Sequence, residues 1–565
     1  MKAIITMLCI AMMLSCQKKE QQEQIQYTIS PFRLNEVPML HVNLKFDAID
    51  KDEETKLLFL NDSWGEKELH NVIENISPVD ERFVIEMNKD SGWVVVKHPK
   101  NSKSIEINYT IKQDFEGELT SKKMYRPIIQ EDYFHIFSHS FFMLPLDYIR
   151  AGDQKFNVTI AWKNFPENYR IVNTFGHGDR SQSISNTSEE EFMSSVFLGG
   201  DYRSYTIPIQ NNEVVFSLRD RWTAFEDSTL VTILNKTITA QRDFWNDHSQ
   251  PYFSVNLTPT AEIHGSSFQG TGLNNAFNCS ASNNDNLELD GLIYLFNHEL
   301  QHNWIGHVIK NKDEEKQYWF SEGFTDYFTF KNIAKYKLNG LDEDYLIDEL
   351  NSIIKALYTS PVKEAPNNAI NYENFWSSRD YEKLPYRRGA LFAFYLDHKI
   401  RKDSKEEASL DNLMLAIKED ALAGQKLDHI YFVEKANSYL DQDFTPFFKA
   451  HIEDGNLMDL KSIFNEFGLE YETRAEVFDQ GFEIDKTTNK VAVIDQSSNI
   501  YLAGLRQGDQ LNGWSIYFGQ PDVKSEVYVS KNGKETKLSY YPSKVIELPQ
   551  IINNANNKQK LRSHE

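Results

Sequence analysis

The stretch "FNHELQHNWIGH", residues 296–307, places His298 and His302 four residues apart, with Glu299 directly after the first histidine. On a helix, side chains at this spacing lie on one face, one turn from each other. Two imidazoles so arranged can bind one zinc ion at about 2.0–2.1 Å each, and the intervening glutamate can contact a water beside the metal. The alternative is an ordinary helix that contains histidines by chance. A third ligand is needed to decide between them.

A candidate third ligand stands in "YWFSEGFTDYF", residues 318–328, where Glu322 begins a helical pattern. A catalytic zinc site has three protein ligands and an open fourth position. Asp326, one turn later, can accept the spare N–H of His298 or His302 and so fix the orientation of that ring. Taken alone, Glu322 could complement a helix dipole and Asp326 could be a solvated surface residue. Their joint occurrence beside the histidine pair favours a metal centre.

Length and composition set broad limits on the protein. A chain of 565 residues exceeds one hydrophobic core, and we expect about three or four domains. With 40% hydrophobic and 13% aromatic residues, wholesale disorder is excluded. The 60 basic and 83 acidic residues give a formal net charge of −23, which argues against nucleic acid or an anionic membrane surface as a partner.

The amino terminus has the pattern of a bacterial lipoprotein signal. Met1 and Lys2 precede the apolar run "AIITMLCIAMML", which is too short for a typical membrane span and ends at "LSC". We expect cleavage before Cys16 and acylation of that residue; a secretory signal without lipid is the alternative. No later stretch has 18 uninterrupted apolar residues. The predicted location is the cell envelope, periplasmic or at the cell surface, with membrane contact through the lipid only.

Hydrophobic periodicity divides the remainder. Alternating stretches such as "LHVNLKF" (residues 40–46), "SIEINYTIK" (104–112) and "FNVTIAW" (156–162) predict strands up to about residue 218. Segments with helical spacing follow, and segments with strand-like alternation return near the carboxyl terminus. The predicted helical segments are 228–247, 287–309, 322–338, 344–358, 386–401 and 428–440. We therefore predict a multidomain α+β protein.

Several motifs together resemble a known family. "HELQHNWIGH" followed by "WFSEGFTDYF" resembles the gluzincin metallopeptidases, which include the large aminopeptidase family and its leukotriene-hydrolase relatives. "LPYRRGALFAFYLD" is similar to a gluzincin segment in which a tyrosine, here Tyr386, precedes a glycine, here Gly389, by three residues. The stretch from 440 to 469 resembles the closing helices of the glycyl aminopeptidases. Those enzymes end in a PDZ domain, and "QGFEI" and "AGLRQGDQL" look like its carboxylate-binding loop and turn.

The resemblance implies roles for particular residues. His298, His302 and Glu322 would bind one Zn²⁺ per chain, and Asp326 would support a histidine ligand. Glu299 would be the general base toward a zinc-activated water, and Tyr386 would stabilise the oxyanion. A buried aromatic on a helix is the alternative for Tyr386.

The resemblance also implies an architecture. We expect an N-terminal β-sandwich-like domain, a thermolysin-like catalytic domain with a helical tail and a C-terminal PDZ-like domain that folds independently. The expected divisions are a signal peptide (1–15), a polar tether (16–25), the β domain (26–218), the peptidase domain (219–471), the PDZ-like domain (472–547) and a polar tail (548–565).

The sequence departs from the aminopeptidases at the expected substrate edge. Their Gly-x-Met-Glu-Asn segment carries a glutamate that binds the free amine of the substrate, whereas the nearest stretch here is Gly272, Leu273, Asn274 and Asn275. Asparagine accepts a hydrogen bond but offers no countercharge. The spacing from the second histidine to the third ligand is also one residue longer than usual, which a loop insertion in "KNKDEEKQ" would explain.

The other histidines and the remaining cysteine are predicted to be structural. His307 stands five residues after the second motif histidine and would face away from the metal. His135 and His139 have the spacing of metal ligands, but they lie in a segment predicted to form strands and have no acidic partner there. Cys279 is predicted to be a small buried residue.

The most specific prediction is a lipid-anchored zinc peptidase, aminopeptidase-like, that acts on peptide substrates. A zinc hydrolase or endopeptidase without free-amine recognition is the first alternative. The second is a catalytically silent scaffold that binds peptides through its PDZ-like domain, and the intact Glu299 argues against it. A C-terminal peptide is the predicted PDZ ligand.

Overall fold

The computed structural model describes residues 24–48, 53–88, 92–149, 154–250, 252–261, 266–273, 275–531 and 533–562. The predicted signal peptide, the lipidation site Cys16 and most of the predicted tether lie outside the described residues. The chain forms two compact units, Met1–Leu300 and Gln301–Glu565.

The first unit begins with a β-rich region. Its strands form a six-stranded sheet (order β16-β13-β1-β2-β9-β6), a five-stranded sheet (β10-β11-β17-β14-β15), a four-stranded sheet (β12-β3-β8-β7) and the hairpin β4-β5. These elements are β1 Gln24–Leu34, β2 Val37–Asp47, β3 Glu54–Leu58, β4 Asp62–Ser63, β5 Glu66–Lys67, β6 Ile73–Pro78, β7 Val84–Asn88, β8 Trp93–Lys97, β9 Ser104–Lys112, β10 Ile128–Ile129, β11 Tyr133–Phe137, β12 Leu144–Pro145, β13 Phe156–Trp162, β14 Arg170–Asn173, β15 Gly176–His177, β16 Ser181–Thr187, α1 Glu189–Met193 and β17 Val196–Gly200.

The predicted alternation is confirmed in these strands. In β2, Leu40, Val42, Leu44 and Phe46 are buried, while the residues between them are partly or fully exposed. β2 pairs with β9, which buries Ile105, Ile107, Tyr109 and Ile111 in the same core. Period-two burial on one face is the pattern of a sheet that covers a core.

A further five-stranded sheet moves the predicted domain boundary. Its order is β18-β19-β20-β22-β21, with β19 and β20, and β20 and β22, in parallel. The strands are β18 Arg203–Ile209, β19 Asn212–Leu218, β20 Tyr252–Thr260, β21 Phe268–Leu273 and β22 Ala276–Ser282. The predicted division at residue 218 is therefore wrong, because residues 203–218 pair with the strands that follow them. Alternation identified β18 and β19 as strands but could not assign their sheet.

Two helices cover one face of this sheet. They are α2, Asp227–Trp245, which begins one residue before its predicted segment, and α3, Leu289–Gln301, which lies within its predicted segment. Leu234 of α2 and Phe296 of α3 share one buried cluster with Val255 and Phe277 of the sheet. The histidine motif is thus carried on a helix that is fixed to a sheet.

Helices dominate the second unit down to residue 467. They are α4 Glu314–Ser321, α5 Gly323–Tyr336, α6 Glu343–Tyr358, α7 Tyr372–Ser377, α8 Arg379–Asp403, α9 Leu410–Leu422, α10 His429–Asn437, α11 Thr445–Phe448 and α12 Leu460–Phe467. The helical segments predicted after residue 320 are confirmed. The interpretation of "KNKDEEKQ" as a loop insertion is wrong in its second half, because α4 begins at Glu314. Among the described residues, no helix has the length and apolarity needed to cross a membrane.

The chain ends in strands and a final helix. A five-stranded sheet (order β24-β25-β26-β27-β28) encloses its own core, and β23 and β29 form a separate two-stranded sheet. The elements are β23 Tyr471–Phe478, β24 Phe482–Asp485, β25 Lys490–Ile494, α13 Asn499–Leu502, β26 Gln510–Ser515, β27 Ser525–Lys531, β28 Lys534–Tyr540, β29 Ser543–Ile551 and α14 Ala555–Leu561.

The predicted polar tail from residue 548 is corrected by these elements. Residues 548–551 complete β29, and α14 follows. Asn351 of α6 forms two hydrogen bonds with the backbone of Ile551. Its Nδ2 donates to the Ile551 carbonyl at 2.9 Å, and its Oδ1 accepts a hydrogen bond from the Ile551 N–H at 2.8 Å. Arg562 forms an ion pair with Glu343 at 2.6 Å. β29 and the residues up to Arg562 are therefore anchored on α6, and the predicted PDZ-like segment is held to the helical region at both ends.

Candidate metal centre and catalytic residues

Three ligand atoms converge at the end of α3. The ligand atoms of His298, His302 and Glu322 lie within 4.8 Å of one another, and His302 Nε2 stands 3.8 Å from Glu322 Oε2. In the part of the chain that the structure describes, no other group of histidine, cysteine and acidic residues meets this test. Two imidazoles and a carboxylate are the ligand set of a catalytic zinc site. The three residues therefore fit the predicted metal.

A hydrogen bond just after α3 fixes the orientation of His302. The residue follows the last residue of α3, and its Nδ1–H donates to the carbonyl of Ile305 at 3.0 Å. This bond leaves Nε2 unprotonated and aimed at Glu322, as a metal ligand requires. Asp326 is buried one turn after Glu322, and its support of a histidine ligand stays a prediction.

A strand with two glycines runs beside Glu299. A Cβ on Gly270 would lie 3.1 Å from Glu299 Cγ, and one on Gly272 would lie 4.0 Å from Glu299 Oε2. Both glycines belong to β21, which pairs with β22 and is an edge strand of its sheet among the described residues. The backbone can approach the glutamate because these positions carry no side chain.

The other predicted substrate-edge residues have different positions. The side chain of Leu273 is buried in an apolar cluster with Ala276, so only its backbone is available to a substrate. Asn274 lies outside the described residues. The described part of β21 contains no carboxylate, consistent with the sequence of this edge.

Tyr386 lies in α8, which is held against the helices around Glu322. A Cβ on Gly389 would lie 1.9 Å from the carbonyl oxygen of Trp319 and 2.9 Å from Cα of Gly323, so the backbones touch at this crossing. Lys383 Nζ lies 4.2 Å from the Tyr386 ring centroid. The glycine three residues after the tyrosine therefore allows α8 to approach the chain that carries the third ligand.

Two residues near the site were not found from the sequence. The hydroxyls of Tyr125 and Thr271 are 2.7 Å apart, which ties a loop of the β-rich region to β21. Burial raises the pKa of Tyr125, and the negative charge of Glu299 adds to the shift. Glu349 of α6 is the second: burial and the neighbouring Asp326 raise its pKa to about 7. Neither residue belongs to a local motif.

The remaining histidines agree with a structural role. His135 is buried and accepts a hydrogen bond from Asn278 Nδ2 at 2.9 Å, and its pKa falls to about 4 because of burial. Burial lowers the pKa of His139 to about 3, and its ring stacks on Trp64 at 4.6 Å. His307 is exposed. Cys279 is a buried free thiol, as predicted.

Comparison with known proteins identifies a domain. Residues 276–442 match the model of the Peptidase family M1 domain. This segment contains α3, the third ligand and Tyr386. The chain is a zinc metallopeptidase.

Solved structures support the fold of this metallopeptidase. An aminopeptidase N family protein from Idiomarina loihiensis is 14% identical, covers 96% of this chain and 100% of its own, and has a TM-score of 0.69. An M1 zinc metallopeptidase from Deinococcus radiodurans (13% identity, 78% and 95% coverage, TM-score 0.46) and yeast LTA4 hydrolase (13%, 80% and 72%, 0.44) also match. Curated protein sequences gave no match. The likeness to the Idiomarina protein supports a multidomain α+β fold with an N-terminal β-rich region and a helical catalytic region.

Proposed function

We propose that this metallopeptidase removes residues from the amino termini of peptides. The observation that carries the proposal is the convergence of two histidines and Glu322 beside a free strand edge. The likeness to an aminopeptidase N family protein over nearly the whole chain supports it. We further assign the sheet β18–β22 with its helices to a thermolysin-like fold and the first sheets to a β-sandwich-like domain.

The ligand set defines what a bound metal would contribute. His298, His302 and Glu322 would hold the ion, with the Nδ1–H of the second histidine fixed on a backbone carbonyl. Zinc in such a site acts as a Lewis acid toward a carbonyl and lowers the pKa of water toward about 7.

The residues around the ligands would transfer the proton, stabilise the oxyanion and bind the substrate. Glu299 would take a proton from the attacking water and return it to the leaving amine. Tyr386 would donate its hydroxyl proton to the oxyanion, an interaction typically worth about 3–4 kcal/mol in the transition state. The glycines of β21 would let an extended substrate pair with its free edge, as peptides do at exposed sheet edges.

The main experiment separates metal binding from catalysis. Purified wild-type protein should contain about one zinc per chain and cleave a fluorogenic peptide, and a chelator should abolish the cleavage. Glu299→Gln should keep its zinc but lose about 10²–10⁴-fold in kcat, because the base and the ligands are separate groups. His302→Ala is the matched variant that should lose the metal. A metal-free wild type, or a fully active Glu299→Gln, contradicts the mechanism.

An alternative follows from the substrate edge. The described part of β21 offers no carboxylate for a substrate amine, which favours a peptidase or hydrolase that does not require a free amine. Burial of an ammonium group without a partner costs several kcal/mol. We expect cleavage near the amino terminus with only moderate discrimination against N-acetylated peptides. Matched free and acetylated peptides test this. A preference for the free amine above about 10³-fold would reveal a carboxylate partner elsewhere.

We also propose that the C-terminal sheet is PDZ-like and binds the C-terminal carboxylate of a peptide. The edge strand β24 follows a loop in which Gly481 has a φ of 78°, a conformation that favours glycine, and α13 stands nearby in the sheet's core. Such an edge can accept an added strand. Titration with matched free and amidated C-terminal peptides tests the proposal, and equal affinities would contradict it.

The location of the enzyme is a separate proposal. The pattern before Cys16 supports a lipid anchor in the bacterial cell envelope. Labelled palmitate should be incorporated into the wild-type protein and not into Cys16→Ser. Equal labelling of the two proteins would contradict the anchor.

A further inference from the structure

Two large aromatic side chains stand exposed on the short helix α7. Tyr372 and Trp376 are 64% and 68% exposed, and their ring centroids are 6.3 Å apart. Side chains four residues apart share one face of a helix. Because exposed apolar surface is unfavourable in water, neighbouring exposed aromatics indicate a binding surface. We call these two residues, with Phe375 and Tyr318 beneath them, the aromatic patch.

The patch is held in place. Asn371 and Asn374 form reciprocal side-chain-to-backbone hydrogen bonds at the start of α7, each 3.0 Å long. The Phe375 ring stacks on the Tyr318 ring of α4 with centroids 4.2 Å apart, and the Trp376 ring lies 5.3 Å from the Phe375 ring. A preformed aromatic surface binds with little loss of conformational entropy.

The patch adjoins the segment that carries the third metal ligand. Tyr318 stands one helical turn before the ligand Glu322, whose N–H donates to the Tyr318 carbonyl at 3.0 Å. On the other side, α7 leads into α8, which carries Tyr386. The substrate is the one partner that must reach this metal centre during catalysis. It is therefore the occupant that the position of the patch favours over an unrelated protein.

The distances define which part of a substrate can reach the patch. One helical turn rises about 5.4 Å, and the centroid separations of 4.2 Å and 5.3 Å continue from Tyr318 to the outermost indole, a path on the order of 15 Å from Glu322. An extended peptide spans about 3.3–3.6 Å per residue. The patch is therefore about four residues from the bond that is cut.

We propose that the aromatic patch binds apolar side chains of peptide substrates about three to five residues beyond the scissile bond, on the leaving-group side. The assignment of the side rests on the proposed aminopeptidase function, because such an enzyme leaves only a short stretch before the bond. The substrates are then peptides of at least about five residues with an aromatic or large aliphatic residue in that region. Single aminoacyl amides do not reach the patch.

The test compares two hexapeptides that differ in one residue. One carries Phe and the other Ser at the fourth position, and an aminoacyl amide serves as the short substrate. For Trp376→Ala and Tyr372→Ala, we expect kcat/KM on the Phe peptide to fall about tenfold, mainly through KM, and to fall clearly less on the other two substrates. Ile430→Ala, an exposed apolar residue of α10 at 66%, is the matched control and should leave all three unchanged.

A binding measurement separates this inference from the proposed function. In the Glu299→Gln background, the Kd of the Phe peptide should rise about tenfold on Trp376→Ala. Equal losses on the Phe and Ser peptides, or an unchanged Kd, overturn the inference. A change of oligomeric state in Trp376→Ala, seen by sedimentation, overturns it in favour of self-association. Absence of zinc-dependent cleavage in the wild type defeats the proposed function instead, and the Kd comparison still tests the patch.

Discussion

Tyr386 allows a test at a single oxygen atom. Tyr386→Phe should keep its zinc and its fold, because the ring and its contact with Lys383 remain. Loss of one oxyanion donor typically lowers kcat by about 10²–10³-fold, with little change in KM when the interaction forms only in the transition state. Steady-state kinetics on one short peptide measures both constants. A raised KM with unchanged kcat would mean that the hydroxyl binds the ground state.

Glu349 makes a prediction about pH. Burial and Asp326 raise its pKa from 4.5 to about 7, so the folded protein retains a proton that the unfolded chain releases. Stability therefore falls as pH rises from about 4.5 to 7, by about 3 kcal/mol at most. Glu349→Gln should raise the thermal midpoint at pH 8 more than at pH 5, measured with saturating zinc in both proteins. An equal shift at the two pH values would exclude this carboxyl as the source.

The ligand residues could be predicted individually because their chemistry is local. His298 and Glu299 belong to one motif on one helix, and the third ligand stands in a second short motif. The partner of the second histidine could not be predicted, since a carbonyl has no sequence identity. Tyr125 could not be found either, because its partner Thr271 is 146 residues away. Contacts between distant residues depend on tertiary structure alone.

At the scale of elements, Gly389 fixes the crossing of α8 with the chain around Glu322. In Gly389→Ala, a Cβ only 1.9 Å from the Trp319 carbonyl oxygen would force the backbones apart. We expect a loss of about 1–3 kcal/mol and a lower kcat, since Tyr386 would move with its helix. Thermal unfolding and peptide kinetics measure the two effects.

Gly513→Ala is the control for this glycine. Its added Cβ would meet nothing within 4 Å, and its φ is outside the left-handed region. The thermal stability and the kcat of this variant should be close to those of the wild type. Equal stability of the two alanine variants would show that the helix crossing tolerates a methyl group.

Elements with strong periodicity could be predicted, and weakly patterned ones could not. α6 has a clear apolar face, and its predicted bounds differ from the observed ones by one residue. α4 begins with Glu314 and Glu315, and its first buried residue is Gln317, so its start has the pattern of a charged loop. The pairing of strands could not be predicted either, because alternation identifies a strand but not the strand beside it.

At the scale of the whole chain, β29 is anchored on α6. The residues between β23 and β29 can therefore be removed while this anchor is kept. Phe478 pairs with Ser543, and the Asp479 amide donates to the Pro542 carbonyl at 2.7 Å, so residues 479–542 enter and leave at one point. Replacing them with Asn-Gly should preserve the β23–β29 pair, because this dipeptide forms two-residue hairpin turns. We expect this variant to keep its zinc and its thermal stability.

Truncation before residue 472 is the comparison. It removes β29 and α14 and leaves Asn351 and Glu343 of α6 without their partners Ile551 and Arg562. We expect a lower thermal midpoint than in the excised variant, because buried apolar residues of β29 and α14 are lost as well. Equal midpoints would show that these anchors contribute nothing to the helical region. The sequence could not predict this difference, since it predicted a tail in place of the anchors.

The same anchoring sets the order of events during synthesis. Asn351 leaves the ribosome 200 residues before its partner Ile551. At about 5–20 residues per second, translation separates the two by about 10–40 s. The metal ligands are made before that interval begins and Tyr386 is made 35 residues into it, while α6 still lacks its C-terminal contacts. The catalytic residues are therefore synthesised before the segment that supplies the supporting contacts of α6.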